Sequence, residues 1–190
     1  KKYCEFNKIN TEQLFTIDLV CHGPTHPEVA RQFLNNLEKR YKSQITDFTV
    51  RFKRDGWVPL YLRVVFESGQ IYEKLFGATD YGIAFSVYSL SKCYTCKFKG
   101  QNHRSDITIG DYWGMEKNEP EYNKDGVSIV FLNDINRGKL LLDTIDNSEF
   151  YIQETDTVQA LRGNPNYYSC RDKSDNYNQF EENLKTKGLH

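Results

Sequence analysis

The stretch S-K-C-Y-T-C-K-F-K-G-Q-N-H-R-S-D-I-T-I-G-D-Y-W-G, residues 91–114, organises the reading of this sequence. Cys93 and Cys96 form a hook, because the short turn between them aims both sulfurs the same way. Such a pair serves as half of a zinc knuckle, half of an iron–sulfur site or a redox dithiol. Behind it, Ile107 and Ile109 alternate with Asp106, Thr108 and Gly110, which predicts a strand over Asp106–Asp111. A thioredoxin-type dithiol opens a helix directly after a strand, whereas Lys97-Phe98-Lys99-Gly100 reads as loop. A zinc knuckle needs a second close pair. The sequence has none, although His22 or His103 could complete a zinc set with Cys21, Cys93 and Cys96.

Upstream, Leu14–Val20 is apolar and β-prone and is stopped by Cys21-His22-Gly23-Pro24, which predicts a buried strand ending in a turn. Strand ends of this kind often face a ligand crevice. Pro27 suits a first helical position, and Val29, Ala30, Phe33, Leu34 and Leu37 follow at spacings that predict an amphipathic helix over Pro27–Tyr41. Ile45–Phe52, Tyr61–Phe66 and Gln70–Phe76 read as strands. The loop Glu67–Gln70 joins the last two, so the three predict an antiparallel run. Tyr81–Leu90 reads as a helix leading into the hook. Downstream, the pattern predicts a buried strand over Val127–Leu132 and a helix capped by Asp134 and running to Ile145, with Leu140, Leu141 and Leu142 on or near its inner face. A short strand over Phe150–Gln153, a turn at Asn164-Pro165-Asn166 and a last helix over Ser174–Lys185 complete the chain. Helices and strands mix without strict alternation. The expected class is α+β, or mixed α/β, with a mixed sheet that has an antiparallel portion and is flanked by helices.

The 190 residues suffice for one substantial domain or two small ones. With 25 basic and 26 acidic residues, the net charge of −1 gives no support to a nucleic-acid or anionic-membrane surface. No apolar run is long enough to span a bilayer, and no secretory leader is visible. The expected location is cytoplasmic, and the five cysteines then read as reduced thiols or metal ligands rather than a disulfide framework. The chain starts at Lys1, and its single methionine is the internal Met115, so a piece of a longer polypeptide is expected.

The thiols of Cys21, Cys93 and Cys96 lie in two loop segments that can meet if those segments are neighbours; a buried apolar role is the competing reading of Cys21. Iron–sulfur clusters usually take four thiolates, and Cys4 or Cys170 could supply another. Arg104, Ser105, Asp106, Thr108, Gly110 and Asp111 read two ways, as contacts to a phosphate or flavin edge or as turn chemistry in which the aspartates cap. The sequence shows no Ser-His-Asp order, no Walker loop, no G-x-G-x-x-G and no hydrolase-like acid pair.

In order, D-L-V-C-H-G (18–23), the proline-started helix, C-Y-T-C-K-F (93–98), S-D-I-T-I-G-D-Y-W-G (105–114), D-G-V-S (125–128) and N-P-N (164–166) resemble the C-terminal domain of the coenzyme F420 hydrogenase/dehydrogenase beta-subunit family over nearly the whole chain. The D-Y-W-G ending and the C-H-G-P-T-H-P turn are similar to the bacterial branch found near polysaccharide-synthesis genes. The resemblance implies a single domain over 1–190 of a longer iron–sulfur flavoprotein. Such a protein moves electrons between a [4Fe-4S] cluster, a flavin, usually FAD, and an acceptor. It implies Cys21, Cys93 and Cys96 as cluster ligands. A further ligand cysteine of the family would fall before Lys1, leaving the cluster incomplete or absent in this stretch alone. It also implies a redox partner protein or ferredoxin-like module. Two other readings stand beside it: a zinc-stapled or metal-free interaction scaffold, and an accessory enzyme of surface-polysaccharide biosynthesis.

Overall fold

A computed structural model describes residues 2–100, 103–145 and 148–189. In chain order the elements are α1 (Lys2–Phe6), β1 (Ile17–Leu19), α2 (Pro27–Tyr41), β2 (Ile45–Phe52), β3 (Tyr61–Phe66), β4 (Ile71–Leu75), α3 (Asp80–Val87), β5 (Ile107–Asp111), β6 (Ser128–Leu132), α4 (Ile135–Thr144), α5 (Thr157–Gly163) and α6 (Tyr177–Thr186). Short 3-10 turns occupy Phe76–Ala78, Ser91–Thr95 and Pro165–Tyr167. The class is α+β, as the sequence predicts, with one mixed and one antiparallel three-stranded sheet. The chain forms two compact units, Lys1–His22 with Cys96–Cys170, and Gly23–Thr95 with Arg171–His190.

The second unit holds the larger apolar core. Helix α2 begins with Pro27 and ends at the left-handed Lys42, and it buries Val29, Phe33 and Leu37, one face at a spacing of four. Strand β3 is central between β2 and β4, and its alternating Leu62, Val64 and Phe66 point into the same core. Tyr72, Ala84, Tyr88, Tyr177, Leu184 and Leu189 complete it. Full burial of a Val or Leu side chain stabilises by about 1.5–3 kcal/mol, so Val29, Leu62 and Val64, all at 0 % exposure, anchor this unit. Helix α3 stops at Val87 rather than at the expected Leu90, because Ser89 turns extended to pair with Thr25 in an antiparallel bridge.

In the first unit the sheet order is β1-β5-β6. Strands β1 and β5 run parallel with Asp18 opposite Thr108, and β5 and β6 run antiparallel with Thr108 opposite Phe131. The expected strand Leu14–Val20 is cut to three residues. The backbone before it is held by side chains instead: the Asp106 carboxylate takes the Thr16 amide, and Arg137 donates to the carbonyls of Glu12 and Leu14. Asp134 caps α4 through the amides of Asn136 and Arg137, as expected. Gly138 is the buried position of that helix; Leu141 and Leu142 are half-buried, near the inner face as expected, whereas Leu140, at 64 % exposure, lies off it. Phe150–Gln153 is exposed coil rather than a strand. Sequence patterning gives no sign of α1 or α5; the latter is capped by Asp156, which accepts from the Gln159 amide. The last helix starts at Tyr177, three residues later than expected.

Candidate functional site

The parallel register of β1 and β5 sets Asp18 beside Thr108, which is fully buried. The Thr108 hydroxyl donates to one Asp18 carboxylate oxygen, and His103 Nδ1 meets the other at 2.8 Å. His103 Nε2 meets the Tyr167 carbonyl at 2.9 Å. The ring is thus tied at both of its nitrogens to oxygens far along the chain. The imidazole stacks on Tyr167 at 4.6 Å, and Tyr167 stacks on Phe131 at 4.1 Å. The Tyr167 hydroxyl donates to Asn133 Oδ1 at 2.9 Å, and Asn133 Nδ2 donates back to Thr108 at 2.8 Å and to Ser105 at 3.0 Å. Burial, and then the Asp18 charge, push the Tyr167 phenol above its ordinary value. The His103 side chain is 3 % exposed and that of Asp18 34 %, so of this pair Asp18 is the one open to solvent.

A second tie lies nearby. The Lys99 ammonium donates to the carbonyls of Cys21 and Asn166. Lys99 and His103 therefore fasten three sequence motifs of the first unit together: the D-L-V-C-H-G segment, the residues after the hook and the N-P-N turn. Cys21 is exposed and Cys96 half-buried, and the Cys170 thiol donates to the Cys96 carbonyl at 3.4 Å.

The hook starts in the second unit. Cys93 sits in the 3-10 turn Ser91–Thr95 with its amide on the Leu90 carbonyl at 2.9 Å. Gly23 faces it with φ +103°; a Cβ there would come within 3.0 Å of both Cβ and Sγ of Cys93. A residue with a side chain would be strained by that φ and would press on the sulfur. Glycine at position 23 thus keeps a side chain away from the Cys93 sulfur. The three proposed thiols are divided, Cys21 and Cys96 in the first unit and Cys93 in the second. Among the described residues, neither unit by itself gathers three His, Cys, Asp or Glu side chains able to hold one metal ion.

The six residues proposed to touch a flavin fall into two groups. Asp106 and Thr108 are buried at 0 % exposure and engaged by their own chain. Asp106 accepts from the Thr16 amide at 2.7 Å, the Thr16 hydroxyl at 2.8 Å and Arg137 Nε at 2.9 Å. Arg104 is exposed; Ser105, Gly110 and Asp111 are half-buried. Gly110 lies so close to Val20 that a Cβ would come within 2.8 Å of its side chain. Asn133 and Tyr167 escape a sequence reading, since their roles come from partners far along the chain. His103 stands out in the sequence only as a soft-metal ligand, not as the hinge of a hydrogen-bond network.

An α+β scaffold with a Cys-x-x-Cys hook in its sequence and an Asp–Thr–His network in its first unit is the class that fold and site describe. The chain belongs to the family described as the C terminus of the Coenzyme F420 hydrogenase/dehydrogenase beta subunit, whose model matches residues 1–158. The match stops short of the N-P-N turn and of α6. No curated protein and no solved structure matches the chain. Membership makes this an oxidoreductase-related redox domain of an enzyme subunit family. Among the described residues no helix is long and apolar enough to cross a membrane.

Proposed function

We propose that the chain is the electron-transfer domain of a cytoplasmic iron–sulfur flavoprotein, in which Cys21, Cys93 and Cys96 are thiolate ligands of a [4Fe-4S] cluster and a flavin, FAD, lies along the Arg104–Asp111 segment. The family match over residues 1–158, which contains all three motif cysteines, is the observation that carries this reading. When bound, a cluster supplies one-electron steps and a flavin one- or two-electron steps. This chain's own residues bind and orient. Arg104 offers an exposed guanidinium for a phosphate or a flavin carbonyl. Ser105, Gly110 and Asp111 offer half-buried polar or backbone groups beside it. Asp106 and Thr108 act behind them by fixing the strand. Lys99 and His103 hold the backbone around Cys21 and the residues after Cys96. The remaining partner is a redox protein or a ferredoxin-like module.

Anaerobic expression of the full-length protein tests the reading. Iron, sulfide and flavin in the purified protein, with a visible absorbance that bleaches on reduction, are expected. Stoichiometric zinc, or a colourless metal-free protein after anaerobic reconstitution with iron and sulfide, would refute it.

A further inference from the structure

Among the described residues, the second unit contains two buried hydroxyls that make no hydrogen bond within the chain, Thr25 Oγ1 and Ser89 Oγ. Thr25 is 7 % exposed and Ser89 0 %. They are not scattered. Thr25 and Ser89 face each other across an antiparallel bridge. The flanking bonds, His26 N to Tyr88 O at 3.4 Å and Leu90 N to Pro24 O at 3.3 Å, make this the closely spaced kind of pair, with both side chains on one side. The point where a Cβ on Gly23 would sit is 3.7 Å from Ser89 Oγ and 3.0 Å from Cys93 Sγ, so the hydroxyl and the sulfur border one gap.

A buried hydroxyl without a partner costs about 1–3 kcal/mol, so two in one place call for an acceptor that the bare chain lacks. An O–H donor satisfies a sulfur well only when the sulfur carries charge, as a metal-bound thiolate does. We propose that Thr25 and Ser89 are positioning residues for Cys93: their hydroxyls donate to its sulfur when that sulfur is bound to metal, holding its charge and its direction. The assignment rests on the reading of Cys93 as a metal ligand. Gly23 belongs to the same device, since it leaves the gap open.

Cobalt(II) is a suitable probe, added anaerobically to the full-length protein and followed by the thiolate-to-cobalt charge-transfer band. In the parent that band should appear and fall in Cys93→Ser. Outer-shell donors commonly contribute about 10–100-fold to metal affinity, so Ser89→Ala and Thr25→Val should each weaken cobalt binding by about that factor, while Thr25→Ser, which keeps the hydroxyl, should bind like the parent. Both apolar variants should melt no lower than the parent, because each removes an unsatisfied group. A purely structural role gives the opposite pattern, lower melting with unchanged affinity, and that result would overturn the assignment. So would equal cobalt affinity in all variants. If the parent band is absent, or is untouched by Cys93→Ser, the reading of Cys93 as a ligand fails first and this inference falls with it.

Discussion

Asp106→Ala should open the first unit. The carboxylate is fully buried and accepts from the Thr16 amide at 2.7 Å, the Thr16 hydroxyl at 2.8 Å and Arg137 Nε at 2.9 Å. Removing one partner of a buried ion pair typically costs about 3–5 kcal/mol, since the other charge stays behind without compensation. Arg137 is 30 % exposed in its side chain, so water recovers part of that loss and the lower half of the range applies. Thr16→Val deletes the hydroxyl bond to the carboxylate together with the bond that hydroxyl accepts from the Asp106 amide at 3.1 Å; the first, a hydrogen bond to a charged group, is worth about 1.5–3 kcal/mol. Asp106→Asn keeps the shape and loses the charge, and it should fall between the parent and the alanine variant. The assay is peptide-resolved hydrogen exchange across β1 and β5, whose pairing this carboxylate extends. At 1.4 kcal/mol per tenfold, a loss of about 3 kcal/mol speeds exchange of the β5 amides by roughly a hundredfold. Exchange in Asp106→Ala within about threefold of the parent would refute the assignment of Asp106 as the lock between β1, β5 and α4.

In the second unit, burial first and then the hydrogen bond to Glu181 hold the Tyr88 phenol well above its ordinary value of 10. The unfolded chain ionises that tyrosine near 10 while the fold keeps it neutral. The contribution is therefore whole below pH 10 and is lost as pH climbs from there toward the folded-state value. Urea unfolding at stepped pH should show stability falling above pH 10, with a shallower fall in Tyr88→Phe; an unchanged slope in the variant would sink the assignment. At the end of α5, a Cβ on Gly163 would lie 2.1 Å from the amide nitrogen of Gly114 and 2.6 Å from its Cα. Both neighbours are backbone and cannot swing aside, so Gly163→Ala should lower stability by about 1–3 kcal/mol in thermal unfolding followed by circular dichroism, against the gain of about 1 kcal/mol that alanine normally brings to a helix. Equal or higher melting would show that the close approach is not real.

Helix α2 and the β2–β3–β4 meander were legible because their signals are local: Pro27 at a helix start, a burial period of four, alternation along Tyr61–Phe66 and a left-handed Gly69 between two strands. The first unit was legible only in outline, and the reason is physical. Its buried apolar cluster is small, built on Tyr112, Ile129 and Ala160, whereas the second unit packs a long series from Val29 to Leu189. A sheet with so little apolar support is held by buried polar bonds instead. Those bonds join residues far apart in sequence, Thr16 to Asp106, Asp18 to Thr108 and His103, Asn133 to Tyr167, and no local pattern announces them. The side chains that look most like ligand contacts by type, Asp106 and Thr108, are therefore the ones the fold itself consumes. By the same logic, the hydroxyls that carry functional information are those the fold leaves without a partner. Among the described residues such hydroxyls lie not on the polar strand Ile107–Asp111 but at Thr25 and Ser89, two residues whose types alone give no reason to single them out.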